Sequence, residues 1–594
     1  AQVEEIFACL ARLDPERAGY LRLKAFERHY REEMFSAVAQ NHGQGRWRRR
    51  DSDRRPQAQM LLCMDDREEG LRRYLEEINP EVETLGAAGY FNLTINWRGL
   101  DFGEKSDALC PVSQTPVVEI REEPVEDQRA LGELHRRRDR LRVSLRDLLH
   151  HATRRDLLVA AALIAVSAPG AAVAMVGKVF APRRWGEWLE WLKDRWEPPV
   201  RTSIQVTAES GATPGSVAHP MPGFPEDEQL ERVETFLRNS GLIRGFAPFV
   251  VMMGHGSNSQ NNPHQAAYGC GACSGRYSGP NGRAFAAIVN RPEIRLRLAE
   301  QGIDIPHDTW FIGAEHNTCD DSVTWFDEDK IPVDKRAAFD VLKGQVAEAS
   351  RLHARERCRR FASAPLGITP KQAFAHVADR MRDFSQARPE LGHACIAGAF
   401  IGRRAVSRGL FFDRRVFLIS YDPSDDPQGE ILERVLLEVG PVGAGISLEY
   451  YFSSVNNEYY GCSSKVTHNV TGLFAVMEGA GSDLRTGLPK QMIEIHEPMR
   501  LQVMIEATPE VLTAIVERQP PLQELILNEW MLVSSVHPES GEIAVFIPEQ
   551  GFVPWSGERH PLSTVERSGD WLGQSRDPLP PVRIRAANAG GEVT

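Results

Sequence analysis

Two short apolar runs, each closed abruptly by polar residues, constrain the fold of this chain more than any other feature. Residues 60–64 (MLLCM) end at Asp65 and lead into the helical spacing of residues 70–78. Residues 248–253 (PFVVMM) end just before His255. A short apolar run with polar ends predicts a buried strand, and strands that alternate with helices are typical of α/β proteins. We therefore predict an α/β fold in which two buried strands deliver polar side chains at their carboxyl ends.

The composition indicates a large globular protein. The 594 residues are 42% hydrophobic and 26% charged, which supplies enough apolar side chains for a substantial core. At roughly 150 residues per domain, the length predicts several domains. The formal net charge of −12 argues against a nucleic-acid partner, which requires a positive surface. Nine cysteines at irregular spacing do not form a disulfide framework, so we expect a reducing compartment and thiolates that are free to bind a metal.

Changes in composition along the chain predict four regions. Residues 1–56 combine helical spacing with a basic linker, and residues 57–345 form an α/β core that carries a helical insertion at about 111–200. Residues 346–396 form a helical connector, and residues 397–594 form a mixed α/β domain. The chain begins with alanine and shows no signal-peptide pattern, which fits a fragment of a longer protein.

The insertion contains the most unusual composition of the chain. Residues 128–155 have helical spacing and are strongly basic, whereas residues 157–177 contain no charged side chain. The second stretch is long enough to cross a bilayer, which takes about 20 apolar residues. Its alanines and valines and the Pro169-Gly170 break favour two short buried helices instead. A hairpin that faces a membrane or a partner is the other interpretation, because basic flanks favour the cytoplasmic face of a membrane.

Four side chains near the two predicted strand ends form a candidate metal site. Cys63 and Asp65 lie at the end of the first apolar run, His255 lies at the end of the second, and Cys270 follows fifteen residues later. Two thiolates, one imidazole and one carboxylate match the donors that zinc accepts. Because polar groups of open parallel sheets collect beyond the carboxyl ends of the strands, these side chains are predicted to converge. Arg67 is placed to pair with Asp65.

Each of these residues also has an ordinary structural interpretation. A single cysteine after a strand is usually a small core residue, and an aspartate there is often a helix N-cap. Arg67 alone would be read as a surface arginine. Cys270 and Cys273 form a C-x-x-C pair, which suits a redox pair or half of a structural zinc site, but no second pair at suitable spacing supports the latter. Only the combination of both strand ends favours a catalytic metal site.

That combination resembles the β-carbonic anhydrases, in which a Cys-x-Asp-x-Arg strand end and a later histidine and cysteine hold the catalytic zinc. Here the pattern is Cys63, Asp65 and Arg67, followed by His255 and Cys270. This chain departs from the β-class pattern His-x-x-Cys, because fourteen residues lie between His255 and Cys270. The interval from Cys63 to His255 is also too long for a simple enzyme of that class.

A second resemblance accounts for the long spacing between His255 and Cys270, and it covers roughly residues 54–530. The chain is similar to the DabA family, the zinc-bearing subunits of two-component inorganic carbon transporters. The similarity is carried by the long His–Cys spacing and by the stretches 400–423 (FIGRRAVSRGLFFDRRVFLISYDP), 448–453 (LEYYFS), 467–473 (THNVTGL) and 483–498 (DLRTGLPKQMIEIHEP).

The resemblance implies a fold, a cofactor and a mechanism. It implies a β-carbonic-anhydrase-like core sheet and a Zn²⁺ ion held by Cys63, His255 and Cys270, with Asp65 as an exchangeable fourth ligand. When Arg67 draws Asp65 away by a charge-assisted hydrogen bond, water can bind in its place. Zinc lowers the pKa of bound water from about 15.7 to about 7, so a zinc-hydroxide mechanism would convert CO2 to bicarbonate. Asp65 and Arg67 are therefore the predicted catalytic and gating pair.

The resemblance also implies a partner and a location. The energy for accumulation would come from a membrane-embedded, proton-translocating subunit of the DabB type, since the chain has no nucleotide-binding loop. The chain would then be peripheral, on the cytoplasmic face of the bacterial inner membrane. Two alternatives stay open: a free-standing soluble β-type carbonic anhydrase, and a zinc-stabilised scaffold without chemistry. Four neighbouring polar residues, His264, Tyr268, Glu315 and His316, are candidates for a supporting shell or proton path, but a structural role is favoured for each of them. We predict no metal-binding role for Cys273, Cys319 and Cys462.

Overall fold

A computed structural model describes residues 2–44, 55–101, 105–110, 114–259, 269–270, 275–383, 386, 389–462, 468–470, 475–478, 484–573 and 575–588. Helices and strands alternate through most of this range, and they confirm the predicted mixed α/β class. The helices are α1 Gln2–Ala11, α2 Pro15–Asn41, α3 Glu69–Ile78, α4 Arg129–Arg155, α5 Leu157–Phe180, α6 Pro182–Trp196, α7 Glu226–Asn239, α8 Gly279–Val289, α9 Pro292–Glu300, α10 Arg336–Cys358, α11 Pro370–Arg382, α12 Arg404–Ser407, α13 Glu430–Val455, α14 Asn457–Tyr460, α15 Lys490–Ile493, α16 Pro509–Arg518 and α17 Pro520–Leu527.

The strands are β1 Ala58–Cys63, β2 Val82–Ala87, β3 Ile95–Arg98, β4 Asp107–Leu109, β5 Val118–Pro124, β6 Thr202–Ile204, β7 Met221–Pro222, β8 Phe249–Gly256, β9 Trp310–Asn317, β10 Ser322–Trp325, β11 Gly398–Gly402, β12 Leu410–Phe411, β13 Val416–Ser420, β14 His468–Val470, β15 Ala475–Glu478, β16 Leu484–Thr486, β17 Leu501–Glu506, β18 Met531–Val536, β19 Ile543–Ile547, β20 Gly551–Pro554, β21 Thr564–Val565 and β22 Val582–Ile584.

The first large sheet contains both predicted strands as neighbours. Its order is β10-β9-β8-β1-β2, and all pairs except β9–β10 are parallel. Every residue of β1 and β8 is buried, as the apolar runs predict. The register aligns Leu62 with Met253, so Cys63 and His255 emerge at the same edge of the sheet. The likeness of this sheet to that of the β-carbonic anhydrases stays a prediction.

A second large sheet, in the order β13-β11-β17-β18-β19-β20, packs directly against the end of the first. The Leu418 amide of β13 donates to the Met64 carbonyl at 2.9 Å, just after β1. Gly86 of β2 lies so close to β13 that an added Cβ would fall 1.8 Å from the Leu418 carbonyl oxygen. A side chain at position 86 would therefore push the two sheets apart.

The helical insertion differs from one of its predicted forms. Residues 157–177 belong to one continuous helix, α5, and not to two short buried helices, so that prediction was wrong. Pro169 lies inside α5 without ending it. One proline removes one backbone hydrogen bond, and α5 continues beyond Pro169 as far as Phe180. In the described part of the chain, α5 is the single helix that is long and apolar enough to cross a membrane, judged by length and composition.

Candidate metal centre

Three side chains converge at the carboxyl edge of the first sheet. Cys63 ends β1, His255 lies near the end of β8, and Cys270 lies in the described pair of residues 269–270. The two Sγ atoms are 3.8 Å apart, and the donor atoms of all three residues lie within 4.8 Å of one another. All three side chains are buried. The structure thus brings together three residues that the sequence predicted as metal ligands.

The chemistry of this cluster fits a bound cation. His255 is fully buried, yet neither of its ring nitrogens makes a well-aligned hydrogen bond to a group in the described ranges. A buried polar atom without a partner is costly unless another ligand satisfies it. Burial lowers the pKa of His255, but the surrounding charges of Cys270, Glu68 and Asp65 outweigh burial and raise this pKa well above its ordinary value. The site therefore concentrates negative charge around an imidazole, as a metal centre does.

Asp65 lies beside this cluster and is held by Arg67. The Arg67 Nε and Nη2 atoms donate to the two Asp65 carboxylate oxygens at 2.9 and 2.8 Å, and the Arg67 backbone N–H also donates to Oδ1. Asp65 Oδ2 is 3.5 Å from His255 Nε2. Burial raises the pKa of Asp65, but Arg67 and His393 outweigh burial and hold it well below its ordinary value. Asp65 is both the partner of Arg67 and the N-cap of the short 3-10 helix Asp66–Glu68 that precedes α3.

Arg67 is a buried residue, so the surface interpretation was wrong. Its side chain is 1% exposed and connects three parts of the chain. Besides Asp65, Arg67 donates to Glu390 Oε1 at 3.0 Å and to the Gly269 carbonyl at 2.8 Å. Glu390 also accepts a hydrogen bond from Ser257, just after β8, at 2.9 Å. Glu390 was not identified from the sequence, because no motif marks it and it is 323 positions from Arg67.

Comparisons with known proteins place this chain in a family. The family model described as "Probable inorganic carbon transporter subunit DabA" matches residues 2–531. The chain belongs to the DabA family. Curated relatives with the same description include proteins of Methylococcus capsulatus (56% identical, 98% of this chain, 54% of the relative), Dechloromonas aromatica (54%, 97% and 56%) and Nitrosococcus oceani (50%, 98% and 53%). The chain spans about half the length of these relatives.

A buried acid orients the histidine of the cluster in this DabA-family chain. Glu68 Oε2 is 3.1 Å from His255 Nδ1, and Glu68 Oε1 is 2.9 Å from His316 Nδ1. His316 Nε2 in turn lies 3.1 Å from Asp321. Carboxylates that hold the second nitrogen of a histidine ligand fix its orientation and tautomer. His316, one of the candidate supporting residues, contacts the acid that lies beside His255. Glu68 was missed because a glutamate in Asp-Asp-Arg-Glu reads as the start of a helix.

The remaining predicted residues are not part of the three-residue cluster or lie outside the described ranges. Glu315 accepts from the Gly279 backbone N–H at 3.1 Å, at the start of α8. Cys319 lies 3.1 Å from Ser257 Oγ and is not part of the three-residue cluster. Cys462 is buried and is also not part of it. Residues His264, Tyr268 and Cys273 lie outside the described ranges.

A second histidine, His393, faces Asp65 from the segment that carries Glu390. Its Nδ1 lies 2.6 Å from Asp66 Oδ1, and its Nε2 lies 3.7 Å from Asp65 Oδ2. Nε2 makes no hydrogen bond within the described ranges, and the ring is buried. His393 therefore adds a second imidazole on the Asp65 side of the centre, supplied by a part of the sequence that we predicted to be only a connector.

Gly89 leaves the space that the two thiols occupy. A Cβ at this position would lie 3.2 Å from the Sγ atoms of Cys63 and Cys270 and from Ser278 Oγ. Contacts this short would force both ligand side chains to shift, and we expect Gly89→Ala to weaken metal binding by about tenfold. Competition with a chromogenic chelator measures this change. Gly170→Ala, at a helical position with nothing within 4 Å, is the control and should bind metal as tightly as the wild type.

Proposed function

We propose that this chain is the zinc-binding subunit of an energy-coupled inorganic carbon transporter that converts CO2 to bicarbonate. The observation that carries the proposal is the convergence of Cys63, His255 and Cys270 beside an aspartate that is held by Arg67. The description of the family and of the relatives, an inorganic carbon transporter subunit, supports the same function.

The proposed zinc ligands are Cys63, His255 and Cys270, with Asp65 as the exchangeable fourth. Two sulfur donors and one nitrogen donor match the preference of zinc for thiolate and imidazole, and a catalytic site keeps its fourth position open to exchange. The chemistry that zinc supplies when bound is Lewis-acid activation of water for attack on CO2. Glu68 Oε2 lies 3.1 Å from His255 Nδ1, and in the proposed site this contact helps to orient the imidazole and leaves Nε2 as the donor to the metal.

The proposed gate consists of Asp65, Arg67 and Glu390. Both oxygens of Asp65 accept hydrogen bonds from Arg67. In the proposed gate, an Asp65 that is held in this way would leave the fourth ligand position to water. Glu390 accepts from Nη1 of Arg67, and the Gly269 carbonyl shares Nη2 with Asp65. A displacement of residue 390 or 269 would therefore change how firmly Arg67 holds Asp65. It would thereby determine whether Asp65 or water occupies the fourth ligand position.

The proposed energy source is a membrane-embedded, proton-translocating partner of the DabB type, with this chain on the cytoplasmic face of the membrane. The term "subunit" in the family description supports a partner. The segment that carries Glu390 and His393 follows α11 closely, and α11 contacts α6 of the helical insertion through Arg382 and Glu190 at 3.0 Å. This contact offers a physical route from a membrane-side partner to the gate.

The test of the proposal is Asp65→Asn in the full-length protein, expressed together with its membrane partner. We expect uptake of labelled inorganic carbon by the cells to fall to background, while elemental analysis of the purified protein still finds zinc on the three remaining ligands. Asp425→Asn is the control, because Asp425 forms a partly exposed ion pair with Arg244 and such pairs contribute little.

Two results would contradict the proposal. Normal uptake by the Asp65→Asn protein would favour the zinc-stabilised scaffold, because a scaffold needs no exchangeable ligand. Fast CO2 hydration by the isolated chain, unchanged by the membrane partner, would favour a free-standing carbonic anhydrase.

A further inference from the structure

The helical insertion exposes an apolar surface that the metal centre does not explain. Helix α5 contains no charged side chain from 157 to 177, and its side chains point away from the body of the protein. Leu157 is 85% exposed, Val166 is 83% exposed and Phe180 is 81% exposed. Ala160 is the one described residue of α5 that is buried. A soluble surface rarely keeps such a large apolar patch unless something covers it.

The exposed apolar residues surround α5 and continue onto both neighbouring helices. On α4 five exposed leucines include pairs at intervals of three, four and seven residues and form a stripe, and on α6 the exposed apolar residues include three tryptophans. The exposed large apolar residues of α4 are Leu134, Leu141, Leu145, Leu148 and Leu149; those of α5 are Leu157, Leu158, Val159, Ile164, Val166, Val173, Met175, Val176, Val179 and Phe180; those of α6 are Trp188, Leu189, Trp191, Leu192 and Trp196.

The charges beside this surface match an anionic membrane. Helix α4 carries nine arginines and only three acidic residues, although the whole chain has a net charge of −12. Arg154 and Arg155 come directly before α5, and Arg183 and Arg184 come soon after it. Basic side chains attract anionic headgroups, and tryptophans prefer the boundary between headgroups and acyl chains.

Both ends of α5 return to the same folded body. On one side, Arg138 of α4 donates to the Trp196 carbonyl at 2.8 Å, at the end of α6. On the other side, α6 is bound to α11 by Arg382 and Glu190. If α5 crossed the bilayer, charged α4 or α6 would have to cross with it, at a cost of about 2.5–3.5 kcal/mol per charge near the centre. The geometry therefore favours a helix that lies within one leaflet.

We propose that helices α4–α6 form a membrane anchor, in which α5 is embedded in one leaflet of an anionic lipid bilayer and the arginines of α4 contact the headgroups. Lipid is favoured over a groove on a partner protein because α5 is apolar around its whole circumference, which suits an apolar phase on all sides, whereas a helix that fits a protein groove has one apolar face. The inference is independent of the metal centre, so vesicle binding can fail while zinc binding and transport stand.

The test is flotation of the purified chain with vesicles of phosphatidylcholine alone or mixed with phosphatidylglycerol. We expect the chain to float with the mixed vesicles, to float less with neutral ones, and to be released by salt only in part. The double variant Val166→Glu/Val173→Glu should float at least tenfold less, since each new charge costs more than about 1.4 kcal/mol in an apolar phase. Both positions are exposed, so folding should be unaffected, as circular dichroism will check.

The matched control is Val333→Glu/Val341→Glu, two exposed valines outside the insertion, which should float like the wild type. The proposal is overturned if the wild-type chain floats with neither vesicle, or if the Val166→Glu/Val173→Glu chain floats equally well. If flotation fails and the same double variant loses its membrane partner in co-purification, the surface binds protein and the lipid assignment is wrong. Equal flotation with neutral and anionic vesicles would overturn the role given to the arginines.

Discussion

Replacing Cys63 with serine is expected to reduce the zinc content from about one ion per chain to near zero. Serine keeps the size of the side chain but presents a hydroxyl group in place of a thiolate. Cys270 and His255 then remain as two fixed ligands, too few for a stable zinc site. Because Cys63 is the last residue of a fully buried strand, no neighbouring residue of β1 can replace it.

Elemental analysis of the purified protein measures this loss, and Cys358→Ser is the matched control. Cys358 is also buried, but it lies on α10 and its Sγ is 3.8 Å from the Ala373 carbonyl oxygen. The Cys358→Ser protein should keep its zinc. Thermal unfolding with and without added zinc separates lost binding from lost folding, since a ligand that binds only the native state raises the melting temperature. A Cys63→Ser protein with stoichiometric zinc would disprove the proposed ligand set.

The sequence was sufficient to predict the strands that carry this site. The apolar run at 60–64 corresponds to β1, which ends at Cys63, and the run at 248–253 corresponds to β8, which includes His255. Buried parallel strands read as continuous apolar runs, and that signal is local in the chain. Parallel pairing of β1 with β8 then places both ends at one edge, as the rule for open α/β sheets predicts.

The residues that the sequence did not reveal act across long separations. Glu390 and His393 approach Asp65 and its partner from more than 300 positions away, and no local pattern distinguishes them from other polar residues of a connector. Helix α5 was misjudged for a different reason. The composition and one proline favoured two short buried helices. Whether a helix is buried depends on whether other parts of the fold pack against it, and a local sequence pattern does not show this.

The second large effect is expected from Arg67→Gln, which should lower the free energy of unfolding by about 3–5 kcal/mol. The guanidinium group lies between two buried carboxylates, Asp65 and Glu390. Without it, both buried acids lose their guanidinium partner, and the cost of a poorly paired buried charge exceeds the net value of the pair. Uptake of inorganic carbon should also be lost, because Asp65 is no longer held away from the fourth ligand position.

Chemical denaturation measures the stability change, and a double variant tests its origin. Arg67→Gln/Glu390→Gln should recover part of the lost stability, since it removes one of the two unpaired acids, whereas two independent effects would simply add. The control Arg351→Gln breaks an exposed pair with Glu348 and should change stability by no more than about 1 kcal/mol.

Arg67→Lys separates charge from geometry, because lysine keeps the positive charge but cannot bind both oxygens of Asp65 in a fork. If Arg67→Lys preserves stability and still abolishes uptake, the bidentate hold on Asp65 is the functional feature. If Arg67→Lys preserves both, the charge of Arg67 is sufficient and the gate needs no bidentate contact.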